Sequence, residues 1–494
     1  MPRPALRADD RKFLDHVGRA VFMNVFSEER ETLLRTLSPG YRNEALQLDP
    51  TLYSFLEQVN ARIERIDAGR PRTLGDFVGV DRDVMRTVFL YQTYHRFVPD
   101  LDTLIRTQGE HGGDPVPVPF AKALLDALGA RGFGEEESLR YFAIFYQLRR
   151  AFFFIVVALV GDSASMKQLR RDLWNVVFTH DMRTYDRCLW NRMEDFSTLL
   201  FGETGTGKGS AAAAIGRSGL IPFDRQRGRF AASFVPAFVS INLSQYPESL
   251  LESELFGHKK GAFTGAIQDY AGVFEICSEH GTLFLDEIGE ATKPTQIKLL
   301  QVLQERSFTP LGTHDRKRFA GRVVGATNRR LESLRSDGSL RDDFYYRLCS
   351  DVIFVPPLRQ RIEESPLELT QLVESLVTRI AGGPSAELTD RMLGNLRRDL
   401  PTGYRWPGNV RELEQAVRRL LLTGRYCGDA TAPSQDADDR FVDDLRTQTL
   451  DAQQLLQRYC TMIYRREGTF EAVARRTRLD RRTARKYVLA GTGR

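Results

Sequence analysis

Two short stretches carry the residue types that chemistry on phosphates needs. In the first, an apolar run ending at Phe201 leads into Gly202-Glu203-Thr204-Gly205-Thr206-Gly207-Lys208, followed by an alanine-rich segment. Glycines at this spacing let the backbone wrap with its N–H groups pointing inward. A helix N-terminus adds positive potential, and Lys208 can reach the β- and γ-phosphates of a nucleotide. Gly209 stands where a P-loop carries Ser or Thr, so a hydroxyl on Mg²⁺ has to come from Ser210 or from water. The second stretch, GTLFLDE at 281–287, is an apolar strand pattern ending in two carboxylates. There Asp286 is suited to hold Mg²⁺, and Glu287 to polarise an attacking water. A glycine-rich turn and an acidic loop without function would each look similar alone. The two together point to ATP and Mg²⁺.

A layered scaffold must position these groups. The short apolar runs STLLFG, AFVSIN, GTLFLDE and GRVVGATN alternate with helical patterns, as in an α/β domain with a largely parallel sheet. This reading gives an α/β subdomain over 156–356, a helical subdomain over 357–427, a linker over 428–444 and a small helical domain over 445–494. The linker is read from GDATAPSQDADD at 428–439, which is polar and lacks an apolar period. Residues 1–155 are mostly helical, with Leu14, Val17, Val21 and Phe22 on one face and a Gly/Pro loop at 109–119. No catalytic constellation stands out there, nor the early acidic cluster of a receiver domain. The expected role is regulatory, with the inducing signal open.

Composition narrows the class. The run AFFFIVVALV at 151–160 is about half a membrane span, so a buried helix or strand is expected. The first residues lack the apolar core of a signal peptide, and the expected location is cytoplasmic, with no membrane partner. Cys188, Cys277, Cys349, Cys427 and Cys460 have no CxxC spacing and the seven histidines no HExxH spacing, so neither a disulfide framework nor a metal-only site is expected. Net charge is +5, yet residues 441–494 carry 12 Lys and Arg against 6 Asp and Glu. The basic excess lies in that segment and suits nucleic acid, although a solvated basic tail would look alike.

Between about 158 and 425 the stretches GETGTGKG, ESELFGHKKGAFTGA, GTLFLDEIGE, LLQVLQERSFTPLG, GATNRRL, LRDDFYYRLCSDVIFVPPLRQR and WPGNVRELEQAV follow one another. In identity and order they resemble the AAA+ domain of bacterial enhancer-binding proteins, the activators of sigma-54 RNA polymerase. The resemblance implies an AAA+ P-loop ATPase, a parallel sheet with a helical lid, preceded by the helical N-terminal domain and followed by a helix-turn-helix domain. It implies that Lys208 is the Walker A lysine and that Asp286 and Glu287 are the Walker B pair. Asn242 would restrain the catalytic Glu until ATP is in place, Asn328 would be sensor I, and Arg411 sensor II. Arg341 and Arg347 would be arginine fingers given to a neighbour, hence a ring, by resemblance a hexamer. Gly261, Ala262, Phe263, Thr264, Gly265 and Ala266 would form the loop that touches sigma-54, with Phe263 and Thr264 at its tip. This chain departs from the family at Gly209, where an acidic residue is usual. It also carries extra sequence at 179–196 and a longer connection at 220–238.

At the basic end a helix at 470–476, a turn at 477–480 and a helix at 481–489 would set Arg481, Arg482, Arg485 and Lys486 at the major groove of double-stranded DNA. Leu455, Tyr459 and Met462 would lie on one face of a preceding helix. The function implied is ATP-dependent activation: binding upstream DNA and remodelling closed sigma-54 holoenzyme complexes into open ones. The alternatives are a remodelling ATPase, or a nucleotide-gated DNA-binding regulator, with no sigma-54 partner.

Overall fold

The computed structural model describes residues 6–37, 50–157, 159–428 and 450–492, with Phe441 and Leu445 between the last two stretches. Most of the expected linker lies outside the described residues. The chain divides into two compact units, Met1–Tyr426 and Cys427–Arg494.

The strands of the first unit are β1 (Thr198–Phe201), β2 (Phe223–Asp224), β3 (Arg229–Phe230), β4 (Phe238–Asn242), β5 (Thr282–Asp286), β6 (Ser307–Phe308), β7 (Lys317–Arg318), β8 (Arg322–Thr327) and β9 (Asp351–Phe354). Five of them form the expected parallel sheet, in the order β4-β5-β8-β1-β9. Helices pack on both faces, so the strands can be apolar throughout, and every residue of β8 is buried. Alternate residues face opposite sides. Leu200, Phe284, Val324 and Ile353 join one core, while Leu199, Leu283, Leu285 and Val323 join another. The register pairs Asn242 with Asp286 and Phe201 with both Thr327 and Phe354. All these carboxyl ends therefore meet along one edge of the sheet, where open α/β folds bind ligands.

The first of those cores also contains the N-terminal helices. Leu14, Phe89, Leu124, Phe142 and Phe178 belong to the same continuous cluster as Ala211, Ile215, Phe223, Phe230 and Phe284. On the Ala8–Phe22 helix, Leu14 and Val17 are buried while Val21 and Phe22 are half-buried. The apolar run at 151–160 starts inside the helix Glu135–Val157, where Ala151, Phe154, Ile155 and Val156 are buried. Both extra segments pack against this region. The connection at 220–238 forms the hairpin β2–β3, whose Phe223 and Phe230 rings lie 4.7 and 5.3 Å from Phe142, with Tyr146 4.0 Å from Phe230. The segment at 179–196 brings the buried Tyr185 edge-on to Phe178 at 5.3 Å. Each ring buried this way stabilises the junction by about 1.5–3 kcal/mol.

The helical part beyond the sheet contains Leu358–Glu364, Glu368–Ala381, Ala386–Asp399 and Asn409–Thr423, closed around Val373, Val377, Met392, Leu396, Leu413 and Val417. Among the described residues, no helix is long and apolar enough to cross a membrane.

The second unit contains the helices Ala452–Glu467, Phe470–Thr477 and Arg481–Thr492 around Cys460, Ile463, Val473, Ala484 and Val488. The first helix buries Cys460 and Ile463; Leu455, Tyr459 and Met462 are only half-buried. The inward face is thus turned by one residue from the expected one. The small Cys460 lets the other two helices approach there.

Candidate phosphate-binding site and exposed loop

The glycine-rich loop leaves β1 at the centre of the sheet and ends in the helix Lys208–Gly216. Gly205 has φ +80°, and a Cβ there would lie 2.3 Å from the Gly408 carbonyl, so only glycine fits between loop and lid. Lys208 is 7% exposed, and its Nζ donates to the carbonyls of Gly202 (2.8 Å) and Glu203 (3.1 Å). Burial pushes its pKa down, while the nearby Glu287 and Asp286 carboxylates work against that. An ammonium held by two carbonyls, short of an anionic partner, is ready to exchange them for phosphate oxygens.

Asp286 ends β5, and its Oδ1 accepts from the Glu287 backbone N–H at 3.0 Å. Glu287 has a left-handed backbone (φ 55°), a conformation costly for a residue with a Cβ. Its Oε2 accepts from the Asn328 N–H at 3.4 Å, and Asn328 Nδ2 donates to Thr204 Oγ1 at 3.2 Å. Asn328 therefore spans from the phosphate loop to Glu287. Burial raises the Glu287 pKa, and Asp286 adds to the rise while Lys208 opposes it. Among the described residues, no group of three or more His, Cys, Asp and Glu side chains could hold a metal. A cation at Asp286 would complete its shell with phosphate oxygens and water, as Mg²⁺ does at nucleotides.

Asn242 is placed otherwise. Its backbone pairs with Asp286, but its side-chain Oδ1 accepts from the N–H (2.9 Å) and hydroxyl (2.7 Å) of Ser244, and no hydrogen bond from its Nδ2 to Glu287 is formed among the described residues. Arg411 lies in the lid helix with an exposed side chain. Its N–H donates to Gly205 O at 3.3 Å, and its charge lowers the pKa of Lys208. Arg341 and Arg347 are not brought to the phosphate loop of their own chain. Arg341 pairs with Asp343 (2.7 Å), and Arg347 donates to Leu303 O (2.8 and 3.0 Å).

Glu203 was expected only to line the loop, yet it anchors the lid. It accepts both guanidinium donors of Arg359 (2.5 and 2.7 Å), and Asn409 Nδ2 donates to it at 3.2 Å and to Thr204 O at 3.0 Å. Asn409 Oδ1 accepts from the Leu358 N–H at 2.8 Å. Asn409 stands inside WPGNVREL and Arg359 inside PPLRQR, so both lay in the stretches read from the sequence, but neither had a role there.

Gly209 and Ser210 are exposed in the first turn of the helix, and a Cβ at Gly209 would meet nothing within 4 Å. Gly209→Ala is expected to stabilise the fold by about 0.5–1 kcal/mol by restricting the unfolded chain. A denaturant midpoint that stays put or falls would count against this.

The loop GAFTGA folds back on its own base. Gly261 (φ 82°) and Gly265 (φ 102°) occupy the left-handed region, and Gly261 N–H donates to Ala266 O at 2.9 Å. Phe263 is 38% exposed with its ring 4.9 Å from His258, Thr264 is exposed, and Ile267 is 81% exposed. The base is held by His258 and Tyr270, which exchange backbone hydrogen bonds, and by Lys259 on Asp269 (2.7 Å).

In the second unit Arg481, Arg482, Arg485 and Lys486 are all exposed on the last helix. Arg481 is paired with Glu471 (2.5 Å) and Arg485 lies 5.9 Å from the Phe470 ring. Asp480 Oδ1 caps this helix, accepting from the N–H groups of Arg482 and Thr483 at 3.0 Å.

Comparison with known proteins shows what part of the first unit resembles. The family described as Sigma-54 interaction domain matches residues 179–353. These residues are thus similar to a sigma-54 interaction domain. This chain is 39% identical over 262 residues to the DNA-binding transcriptional regulator NtrC of Azospirillum brasilense, covering 53% of this chain and 47% of that protein. The Sigma54-dependent transcriptional activator SfnR of Pseudomonas putida is 42% identical over 241 residues, covering 49% and 60%. A Nif-specific regulatory protein of Azotobacter vinelandii is 44% identical over 233 residues, covering 47% and 40%. The chain thus spans about half the length of these curated relatives. Among solved structures, NtrX from Brucella abortus in complex with ATP matches at a TM-score of 0.41 and 22% identity, over 76% of this chain and 80% of that one.

Proposed function

We propose that the chain is an ATP-dependent activator that remodels the sigma-54 RNA polymerase closed complex from an upstream DNA site. The observation that carries this reading is the GAFTGA loop, half-exposing an aromatic ring at its tip on the same unit as the phosphate-binding loop. ATP and Mg²⁺ would occupy the edge of the sheet. Lys208, the N–H groups of 202–209 and Arg411 would bind phosphates, Asp286 would hold the cation, and Ser210, exposed in the first turn of the helix, would be the nearby hydroxyl. Glu287 would orient the attacking water and Asn328 would sense the γ-phosphate. Asn242 would exchange Ser244 for Glu287 with nucleotide state. That exchange acts at the start of the segment leading through the helix Glu248–Phe256 to the loop, and so links turnover to loop position.

Arg341 and Arg347 would complete a neighbour's site in a ring. Arg482 and Lys486 would be the freer DNA contacts of the basic helix, since Arg481 is already paired. An ordinary ATPase has no use for a half-exposed Phe between two left-handed glycines. A remodeller does, because a rigid ring is an effective anchor once pressed into a partner.

Phe263→Ala tests this directly. ATP turnover should stay within about twofold of the parent, since removing an exposed contact disturbs the fold little. ATP-dependent open-complex formation with sigma-54 holoenzyme on a supercoiled promoter should be lost. Parallel loss of both would mean that the ring serves packing. Full activation without the ring would mean that Phe263 is not the contact, and a parent protein that opens no complex would point to one of the readings without a sigma-54 partner.

A further inference from the structure

The helix that begins at the phosphate loop ends in the protein interior, and the two side chains that hold that far end lie on the helix Glu135–Val157, outside the matched residues 179–353. The carbonyl of Arg217 accepts from Arg150 Nη1 at 2.7 Å, that of Ser218 from Gln147 Nε2 at 3.0 Å, and that of Gly219 from Arg150 Nη2 at 2.6 Å. Three successive carbonyls are thus taken by two side chains one turn apart on the helix Glu135–Val157. Gln147 is itself oriented, its Oε1 accepting from Tyr185 Oη at 2.5 Å. Tyr185 belongs to the extra segment at 179–196. Arg150 is 0% exposed, Tyr185 1% and Gln147 2%.

Burying Arg150 is expensive. Among the described residues it has no carboxylate partner, and its Nε has no acceptor. A bare cation in an apolar interior costs several kcal/mol, and a well-packed apolar residue would avoid that. Burial lowers its pKa only to about 10, so it stays charged at neutral pH. Its compensation is the negative end of the helix dipole, the carbonyls and the Tyr146 ring at 4.4 Å.

The helix itself explains the need for such a clamp. Lys208–Gly216 reads KGSAAAAIG, nine residues and about 13 Å long, with Ile215 as its one large apolar side chain. Helices keep their axial position and rotation by interlocking side chains with their neighbours. A near-polyalanine rod offers few such knobs, so its ends must fix it.

We propose that Arg150, with Gln147 and Tyr185, is a positioning group for the phosphate loop. Through it the N-terminal helical region sets the nucleotide affinity of the sigma-54 interaction domain from the rear of the helix Lys208–Gly216. The proposal rests on the nucleotide reading given above.

The test uses the full chain carrying Arg150→Gln, Arg150→Lys or Tyr185→Phe, each studied well below its own melting midpoint. Fluorescent N-methylanthraniloyl-ATP titration and the ATP dependence of turnover supply Kd, KM and kcat, and circular dichroism supplies Tm. Arg150→Gln should weaken nucleotide binding and raise KM about five- to tenfold, the factor that one or two buried hydrogen bonds carry. Arg150→Lys, which keeps the charge and one donor, should recover part of this. Tyr185→Phe should shift both in the same direction by less. Lower Tm with unchanged Kd and KM in all folded variants would reduce Arg150 to a structural residue and overturn the proposal. If Arg150→Gln does not fold, unchanged Kd and KM in the other two overturn it equally. A parent protein that fails to bind the nucleotide would instead remove the nucleotide reading itself, and the clamp with it.

Discussion

Glutamine in place of Glu287 is expected to lower ATP turnover by about 10²–10⁴-fold while nucleotide still binds. The substitution keeps the shape of the side chain and removes only the carboxylate that would accept from the attacking water. The left-handed backbone at this position and the hydrogen bonds from Asn328 N–H and to Asp286 remain available to fix it. Its charge is the sensitive property. Burial, with Asp286 close by, raises the pKa of Glu287, so its basic form is depleted earlier as pH falls. Turnover in the parent should therefore decline on acidification at a pH above that of an exposed glutamate, and the decline should vanish from the residual rate of Glu287→Gln. Titration of nucleotide beside a steady-state assay separates the outcomes. If binding falls together with turnover, Glu287 supports the loop; if turnover persists, another group activates the water.

The second large effect is expected between chains. Removing both Arg341 and Arg347 should cost about 10³–10⁵ in turnover, the contribution of an arginine supplied to a phosphoryl transition state. In its own chain neither side chain touches the phosphate loop. Arg347 is parked on the Leu303 carbonyl and Arg341 on Asp343. An exposed pair such as Arg341–Asp343 contributes only about 0–1 kcal/mol, so it holds Arg341 without hindering its transfer to a better anion. Mixing chains that carry Arg341→Ala and Arg347→Ala with chains that carry Lys208→Ala decides the matter. Each partner lacks what the other keeps, so composite sites should recover turnover. No recovery at any ratio would mean that the arginines act within one chain or on the fold.

The sequence made legible whatever is written locally. Short apolar runs marked β1, β4, β5 and β8, and glycine spacing marked the phosphate loop, because each depends on neighbours within a few positions. What it left out lies in pairings across long separations. The lid anchor joins Glu203 to Arg359 and Asn409, 156 and 206 residues away, and no spacing rule reaches that far. The two-residue strands β2 and β3 are too short to leave a period. Their hairpin exists because Phe223 and Phe230 find Phe142. The role of Asn242 rests on resemblance, and the structure shows its side-chain oxygen accepting from Ser244, a local partner that the resemblance does not record. In the basic domain the helices were readable, while the buried face of the first turned on the size of Cys460, a packing matter.

The core shared by the N-terminal helices and the sheet also bears on how this chain can change over generations. A recombination joint near residue 155 would separate Phe142 and Tyr146 from Phe223 and Phe230, and Arg150 from the carbonyls it serves. The N-terminal region is therefore expected to be inherited together with the sheet it packs on, and not exchanged as a cassette. Drift at its inner surface can proceed only in matched steps, so positions 142, 146 and 150 should covary with 217–219, 223 and 230 among close descendants.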